Sequence, residues 1–136
     1  MDLYVCDILL VDDNRELQEM LRELLEREGY SRLRQAYSCR EARELFGRRE
    51  PELVILDVML PDGDGFALFR EFRENTKVPI LFLSAKDEDN DRLLGLGMGA
   101  DDYITKPFLP QELLLRIQAI LKRVYVYPNL KIAKEQ

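Results

Sequence analysis

"LVILDVMLPDGDG", residues 53–65, places four apolar residues, Leu53 to Leu56, directly before Asp57 and a turn-rich PDGDG after it. A continuous apolar run bounded by polar and turn residues reads as a strand buried on both faces. Such a strand ends here on a carboxylate, and the reading of the whole chain turns on why.

Working outward, Ile8 to Val11 (ILLV) and Val78 to Leu83 (VPILFL, ending at Ser84) are further buried strands. Leu33 to Tyr37 is a weaker, outer strand, and Asp102 to Ile104 is a short one. Helical patterns separate them. Leu17, Met20, Leu21, Leu24 and Leu25 recur at helical spacing before Gly29. Ser38 and Glu41 form a capping box ahead of Ala42, Leu45 and Phe46. Phe66 to Phe72 predicts a short helix, and Glu88 to Leu96 a marginal one running into Gly95, Gly97 and Gly99. Pro110 opens a last helix carrying Leu113, Leu114, Ile117, Ile120 and Leu121. Parallel strands need crossover helices, so this alternation predicts an α/β fold, a doubly wound five-stranded parallel sheet. After Arg123 the helical pattern fails. Val124 to Tyr127 favours β structure, Pro128-Asn129 signals a turn, and Leu130-Lys131-Ile132 alternates.

Composition narrows the function. The 136 residues suit one domain, and 46% hydrophobic content supports a core. No apolar run approaches the roughly 18 residues of a membrane helix, and MDLYVCDILLVDD is too short and acidic for a signal peptide. Two cysteines, Cys6 and Cys39, read as core fillers in a reduced, cytoplasmic setting. A net charge of −6 argues against a nucleic-acid module. The absence of histidine removes His-based general bases, most zinc sites and Ser-His-Asp triads.

Open parallel sheets bind ligands at the carboxyl ends of their strands. Asp12 and Asp13 follow the first strand, Asp57 the third, Ser84 the fourth and Lys106 the fifth. Crowded carboxylates repel unless a cation joins them, and hard oxygens favour Mg²⁺. Asp62, Asp64 and Gly65 have the look of a calcium loop, but Arg73 stands where its closing Glu is needed, so PDGDG reads as a turn. Beside Mg²⁺ and Lys106, Asp57 is placed to act as a nucleophile toward phosphorus. Taken singly, Asp13 reads equally as a helix cap, Asp57 as a turn residue, Ser84 as a cap and Lys106 as a surface lysine. Their joint position at strand ends is what sets them apart.

The pieces ILLVDDN (8–14), LVILDVMLPDGDG (53–65), VPILFLSA (78–85) and GADDYITKPF (99–108) resemble the receiver domain of two-component response regulators, of the OmpR/PhoB type. The resemblance spans residues 7 to 123. It implies a flavodoxin-like fold with strand order 2-1-3-4-5, with residues 1–123 as the receiver. Residues 124–136 resemble a linker or the start of a missing C-terminal winged-helix DNA-binding domain. It implies that Asp57 is phosphorylated by a sensor histidine kinase. Mg²⁺ would be held by Asp13, Asp57 and the Met59 carbonyl, with Asp12 acting through water. Lys106 would contact the phosphoryl group, before a cis bond to Pro107. Ser84 and Tyr103 would form a switch pair, Tyr103 moving from exposed to buried.

The last helix has a second face carrying Glu112, Arg116, Ala119 and Arg123, flanked by Leu115. Such a face is ordinarily just solvated. The resemblance implies instead a homodimer through the fourth helix, fifth strand and fifth helix, with Arg92–Glu112, Asp102–Arg116 and Asp101–Arg123 pairing across subunits and Leu93 joining in. Two departures stand out. Leu109 precedes Pro110 where a polar cap is expected, and Met59 lies two residues beyond Asp57. Magnesium phosphatases with an aspartyl intermediate place an acid–base Asp at that second position, so the chain is expected not to be an enzyme. An apolar Met59 is also expected to slow hydrolysis of the phosphoryl group. The alternative function is a stand-alone receiver acting through protein–protein binding.

Overall fold

In a computed structural model, the structure describes residues 2–127. A five-stranded parallel sheet is built from β1 (Asp7–Val11), β2 (Arg32–Ala36), β3 (Leu53–Leu56), β6 (Ile80–Ser84) and β7 (Asp102–Thr105). Its spatial order is β2-β1-β3-β6-β7. The two strands omitted, β4 (Met59–Leu60) and β5 (Gly63–Asp64), form a small antiparallel hairpin of their own. Counted without it, the order is the expected 2-1-3-4-5, the flavodoxin-like arrangement.

Among the described residues four α-helices make the crossovers, α1 (Arg15–Glu28), α2 (Cys39–Arg48), α3 (Gly65–Asn75) and α4 (Asp89–Gly97), and α5 (Pro110–Leu121) follows the last strand. The central strands are buried throughout, and their side chains alternate between two cores. Leu9, Val11, Val54, Leu56, Ile80 and Phe82 point to one core, shared with Phe66, Phe69 and Phe72 of α3. Ile8, Leu10, Leu53, Ile55, Leu81 and Leu83 point to the other, shared with Leu21 and Leu25 of α1 and Leu113 and Ile117 of α5. Continuous apolar runs, rather than alternating ones, follow from this two-sided burial.

Three local expectations need correction. In α1 the buried residues are Gln18, Leu21 and Leu25, while Met20 is exposed. In the capping box, Ser38 Oγ accepts from Glu41 N (3.1 Å) as expected, but the Glu41 carboxylate accepts from Tyr37 N (2.8 Å), one residue before the cap. And helical structure does not stop at Arg123: a π-helical turn continues over Lys122–Val126. Tertiary contacts override the β preference of Val124 and Tyr125 there. Both pack on the α1/α5 core, and the Tyr125 hydroxyl donates to the Glu52 carbonyl at 2.6 Å. The turn and alternating residues expected at 128–132 lie outside the described residues.

Candidate functional site

The strand ends gather the acidic residues. Asp57 leaves β3 with its N–H donating to Val11 O (3.0 Å), and Asp12 leaves β1 with its N–H donating to Ala36 O (3.0 Å). Carboxylate oxygens of Asp12, Asp13 and Asp57 lie within 4.8 Å of one another. Asp12 and Asp57 are buried, at 3% and 6% exposure, and Asp13 is exposed. Asp13 does not cap α1; Asn14 does, accepting from Leu17 N at 3.1 Å. Its carboxylate is thereby left free of that structural duty.

Lys106 arrives from beyond β7, and its peptide bond to Pro107 is cis. Its Nζ donates to Asp12 Oδ2 at 2.7 Å and to Asp57 Oδ2 at 3.3 Å. One ammonium thus bonds two of the three carboxylates, and Asp13 has no cationic partner among the described residues. Burial raises the Asp12 carboxyl above its ordinary range, Lys106 pulls it back, and the neighbouring Asp57 raises it further. Burial works against the Lys106 ammonium, but Asp12 and Asp57 outweigh it and hold its pKa above the usual lysine value. The two directions show where the balance lies: the lysine keeps its charge, while burial of Asp12 outweighs the help that one ammonium gives it. A divalent cation fits this donor set. The oxygens are hard, clustered and under-neutralised, and they line an open cleft with Met59 and Lys106.

The β4–β5 hairpin forms one wall of the cleft through Met59 and Leu60. Asp57 Oδ1 accepts from Met59 N at 3.2 Å, and Gly65 N donates to Val58 O at 2.7 Å. A Cβ on Gly65 would sit 2.2 Å from the Asp57 carbonyl oxygen and 2.7 Å from Val58 Cα, so only glycine lets the chain fold back this closely. The two aspartates of PDGDG serve helix ends. Asp62 accepts from Cys39 N (2.7 Å) and Arg40 N (3.0 Å) at the start of α2, and those N–H groups hold its carboxyl below the usual range. Asp64 accepts from Phe66 N at the start of α3 (2.8 Å).

Ser84 and Tyr103 both bond the Lys86 backbone, and the Ser84 carbonyl accepts from Lys106 N at 2.8 Å. Ser84 is fully buried, and its Oγ accepts from Lys86 N at 3.2 Å. Tyr103 is 4% exposed, and its hydroxyl donates to the Lys86 carbonyl at 2.6 Å. Burial, aided by the Asp91 carboxylate, pushes the Tyr103 phenol up to about 12. Of the two positions expected for Tyr103, this is the buried one. On the face expected to dimerise, Leu93, Leu115, Arg92, Ala119 and Arg123 are exposed. Within one chain Arg116 already pairs with Asp102 (2.9 Å) and, more loosely, Glu112 (3.5 Å), and Arg123 pairs with Asp101 (2.9 Å). As expected, Leu109 makes no side-chain cap for α5.

Sequence reasoning missed Asn14 and Gln18. The signal for Gln18 was present: it shares helical spacing with Leu21 and Leu25, so it is a polar residue in an apolar stripe.

The family model for the response regulator receiver domain matches residues 8–118. Solved structures agree. A two-component response regulator from Clostridium difficile is 32% identical, with a TM-score of 0.83 over 88% of this chain and 98% of its own. A putative response regulator from Chloroflexus aurantiacus J-10-fl is 38% identical (TM-score 0.81, 88% and 99% covered). The BeF3-activated N-terminal receiver domain of RstA from Klebsiella pneumoniae is 34% identical (TM-score 0.80, 85% and 98% covered).

Proposed function

Because this chain belongs to the response regulator receiver domain family, we propose that it is a phosphorylation-driven switch whose acceptor is Asp57. The observation that carries the proposal is the meeting of the Asp57 carboxylate with Asp12, Asp13 and Lys106 in one cleft. Asp57 attacks the phosphorus of a phosphohistidine on a sensor histidine kinase. The new P–O bond forms as the P–N bond breaks, and the imidazole leaves with the bonding pair and takes up a proton. Such transfer needs mainly positioning and charge neutralisation. β3 holds Asp57 in place, and Met59 N–H orients one of its oxygens, leaving the other for attack. Lys106 moves its contacts from the carboxylates to the incoming phosphoryl oxygens. Asp13, Asp57 and the Met59 carbonyl would hold Mg²⁺, with Asp12 acting through water, and the ion would supply the positive charge that one lysine lacks.

The chain accepts a phosphoryl group rather than turning over a substrate. Met59 offers no proton donor or acceptor two residues beyond Asp57, and its exposed apolar side chain hinders water at the phosphoryl group. Ser84 turns toward the phosphoryl group, which favours the buried Tyr103 and biases the α4–β7–α5 face. That face then dimerises of the OmpR/PhoB type. The pairs Asp102–Arg116 and Asp101–Arg123 exchange an intrachain partner for the other subunit's, while Leu93, Leu115 and Ala119 supply apolar contact. The working protein is a cytoplasmic transcription regulator whose DNA-binding domain follows the receiver. No helix among the described residues is long and apolar enough to cross a membrane.

Intact-mass measurement after incubation with Mg²⁺ and a small acyl phosphate tests the acceptor. The parent is expected to gain one phosphoryl group and Asp57→Ala none. Equal gain in both would reject Asp57. Gel filtration of the same samples is expected to show a dimer only for the phosphorylated parent.

A further inference from the structure

α1 buries three side chains against the sheet, with Leu17 and Leu24 half-buried beside them, and one of the three is polar. Gln18 is completely buried. A buried amide is costly unless every polar atom is bonded, and here each is. Its Nε2 lies 3.0 Å from Leu10 O, 3.1 Å from Asp12 O and 3.0 Å from Ala36 O, two hydrogens shared among three carbonyls. Its Oε1 accepts from Gln35 Nε2 at 3.1 Å, and the same nitrogen donates to the Gln18 backbone carbonyl at 2.7 Å.

These carbonyls mark the place where β1 and β2 part. The ladder between them ends with Asp12 N donating to Ala36 O. Beyond it, the Asp12 carbonyl belongs to the peptide group joining Asp12 to Asp13. Holding that oxygen fixes the peptide plane from which Asp13 departs. Asp13 makes no hydrogen bond or ion pair of its own among the described residues, so its direction rests on its backbone. Asp12 is fixed from the other side by Asn14 N (2.9 Å) and Lys106 (2.7 Å). A leucine in place of Gln18 would satisfy the apolar stripe and leave the Asp12–Asp13 peptide untethered.

We infer that Gln18 is a positioning residue for the carboxylate cluster. Its amide sets the Asp12–Asp13 peptide so that Asp13 converges with Asp57 on a divalent cation. Gln35 supports it by fixing which way the amide faces. The inference rests on the cation reading of the cluster given above. Groups that orient metal ligands from behind cost about ten- to a hundredfold in affinity when removed.

The test is Mg²⁺ titration by calorimetry at constant ionic strength, at a temperature where every protein is folded. It compares the parent, Gln18→Met, Gln35→Met and Leu25→Ala. Gln18→Met keeps the volume and removes the amide. Leu25→Ala opens a cavity in the same helix, about two turns beyond Gln18 toward the amino ends of the strands. About tenfold weaker Mg²⁺ binding is expected in Gln18→Met, a smaller loss in Gln35→Met, and parent-like binding in Leu25→Ala. Binding within twofold of the parent in both glutamine variants would overturn the inference while leaving the cation reading intact. Equal weakening in Leu25→Ala would also overturn it, by showing a general loosening of α1. Should Gln18→Met not fold, Gln35→Met against Leu25→Ala decides by the same criteria. A parent that binds no Mg²⁺ at millimolar levels would remove the cation reading itself, and this inference with it.

Discussion

Buried carboxylates stand at both ends of β1, and their surroundings are opposite. At the amino end Asp7 is 3% exposed and meets two guanidinium groups, Arg34 at 2.9 Å and Arg49 at 3.4 Å. Arg34 is itself tied to the carbonyls of Leu45 and Arg49. Its charge is more than matched, and nothing there asks for a ligand. At the carboxyl end a single ammonium pairs with Asp12 and Asp57, and Asp13 beside them pairs with none among the described residues. Both arrangements carry a cost of desolvation. One closes its charge account with structural partners; the other leaves it open for a cation and a phosphoryl group. Burial of an acid marks neither end as functional. The imbalance does.

The strongest way to break the contrast is to deform the open end. Gly65→Ala drives a methyl group against the Asp57 carbonyl, and backbone cannot yield as a side chain does. A loss of about 3 kcal/mol in urea unfolding is expected, with loss of phosphoryl acceptance in the fraction that folds. Stability unchanged within error would contradict the close approach.

Breaking the closed end comes next. Asp7→Ala strands the Arg34 guanidinium, which is partly exposed and keeps its carbonyl partners, so the loss is expected at about 2 kcal/mol, below the full value for a buried pair. Because Asp7 is remote from the cleft, its Mg²⁺ affinity should match the parent's.

Much of this contrast was legible in the sequence, and the reasons are physical. Strands buried on both faces give unbroken apolar runs, so ILLV, LVIL and ILFL announced the sheet. Polar residues terminating those runs announced the cleft. What remained hidden depends on distant partners. Asp62 serves α2 from 23 residues away, Tyr125 bonds Glu52 across 73, and neither leaves a local pattern. Gln18 is hidden in the sequence because Leu17 and Met20 beside it complete an apolar stripe without it.

Asp12→Asn sharpens the contrast by sign. The folded Asp12 carboxyl has a pKa above its unfolded value, so the folded state holds that proton more tightly. Its contribution is favourable at low pH and is lost as pH rises through the raised value. Asparagine imitates the protonated form. Without Mg²⁺, Asp12→Asn is therefore expected to melt higher than the parent at pH 7, with the gap shrinking toward pH 4. A gap that is constant or reversed would show that Lys106 fully repays the burial of Asp12.

The smallest expected change lies at neither end of β1. Leu109→Asp supplies the missing cap for α5 and should stabilise by about 0.5–1 kcal/mol. Phosphoryl acceptance should stay unchanged, which calibrates how little a purely local repair moves the site.

Calorimetric titration with Mg²⁺ of the parent, Asp13→Ala and Asp7→Ala puts the contrast to its most direct test. One-site binding at millimolar concentration or tighter is expected for the parent and for Asp7→Ala, and none for Asp13→Ala. Silence in the parent, or undiminished binding in Asp13→Ala, would mean that the open end of the sheet is not built to hold a divalent cation.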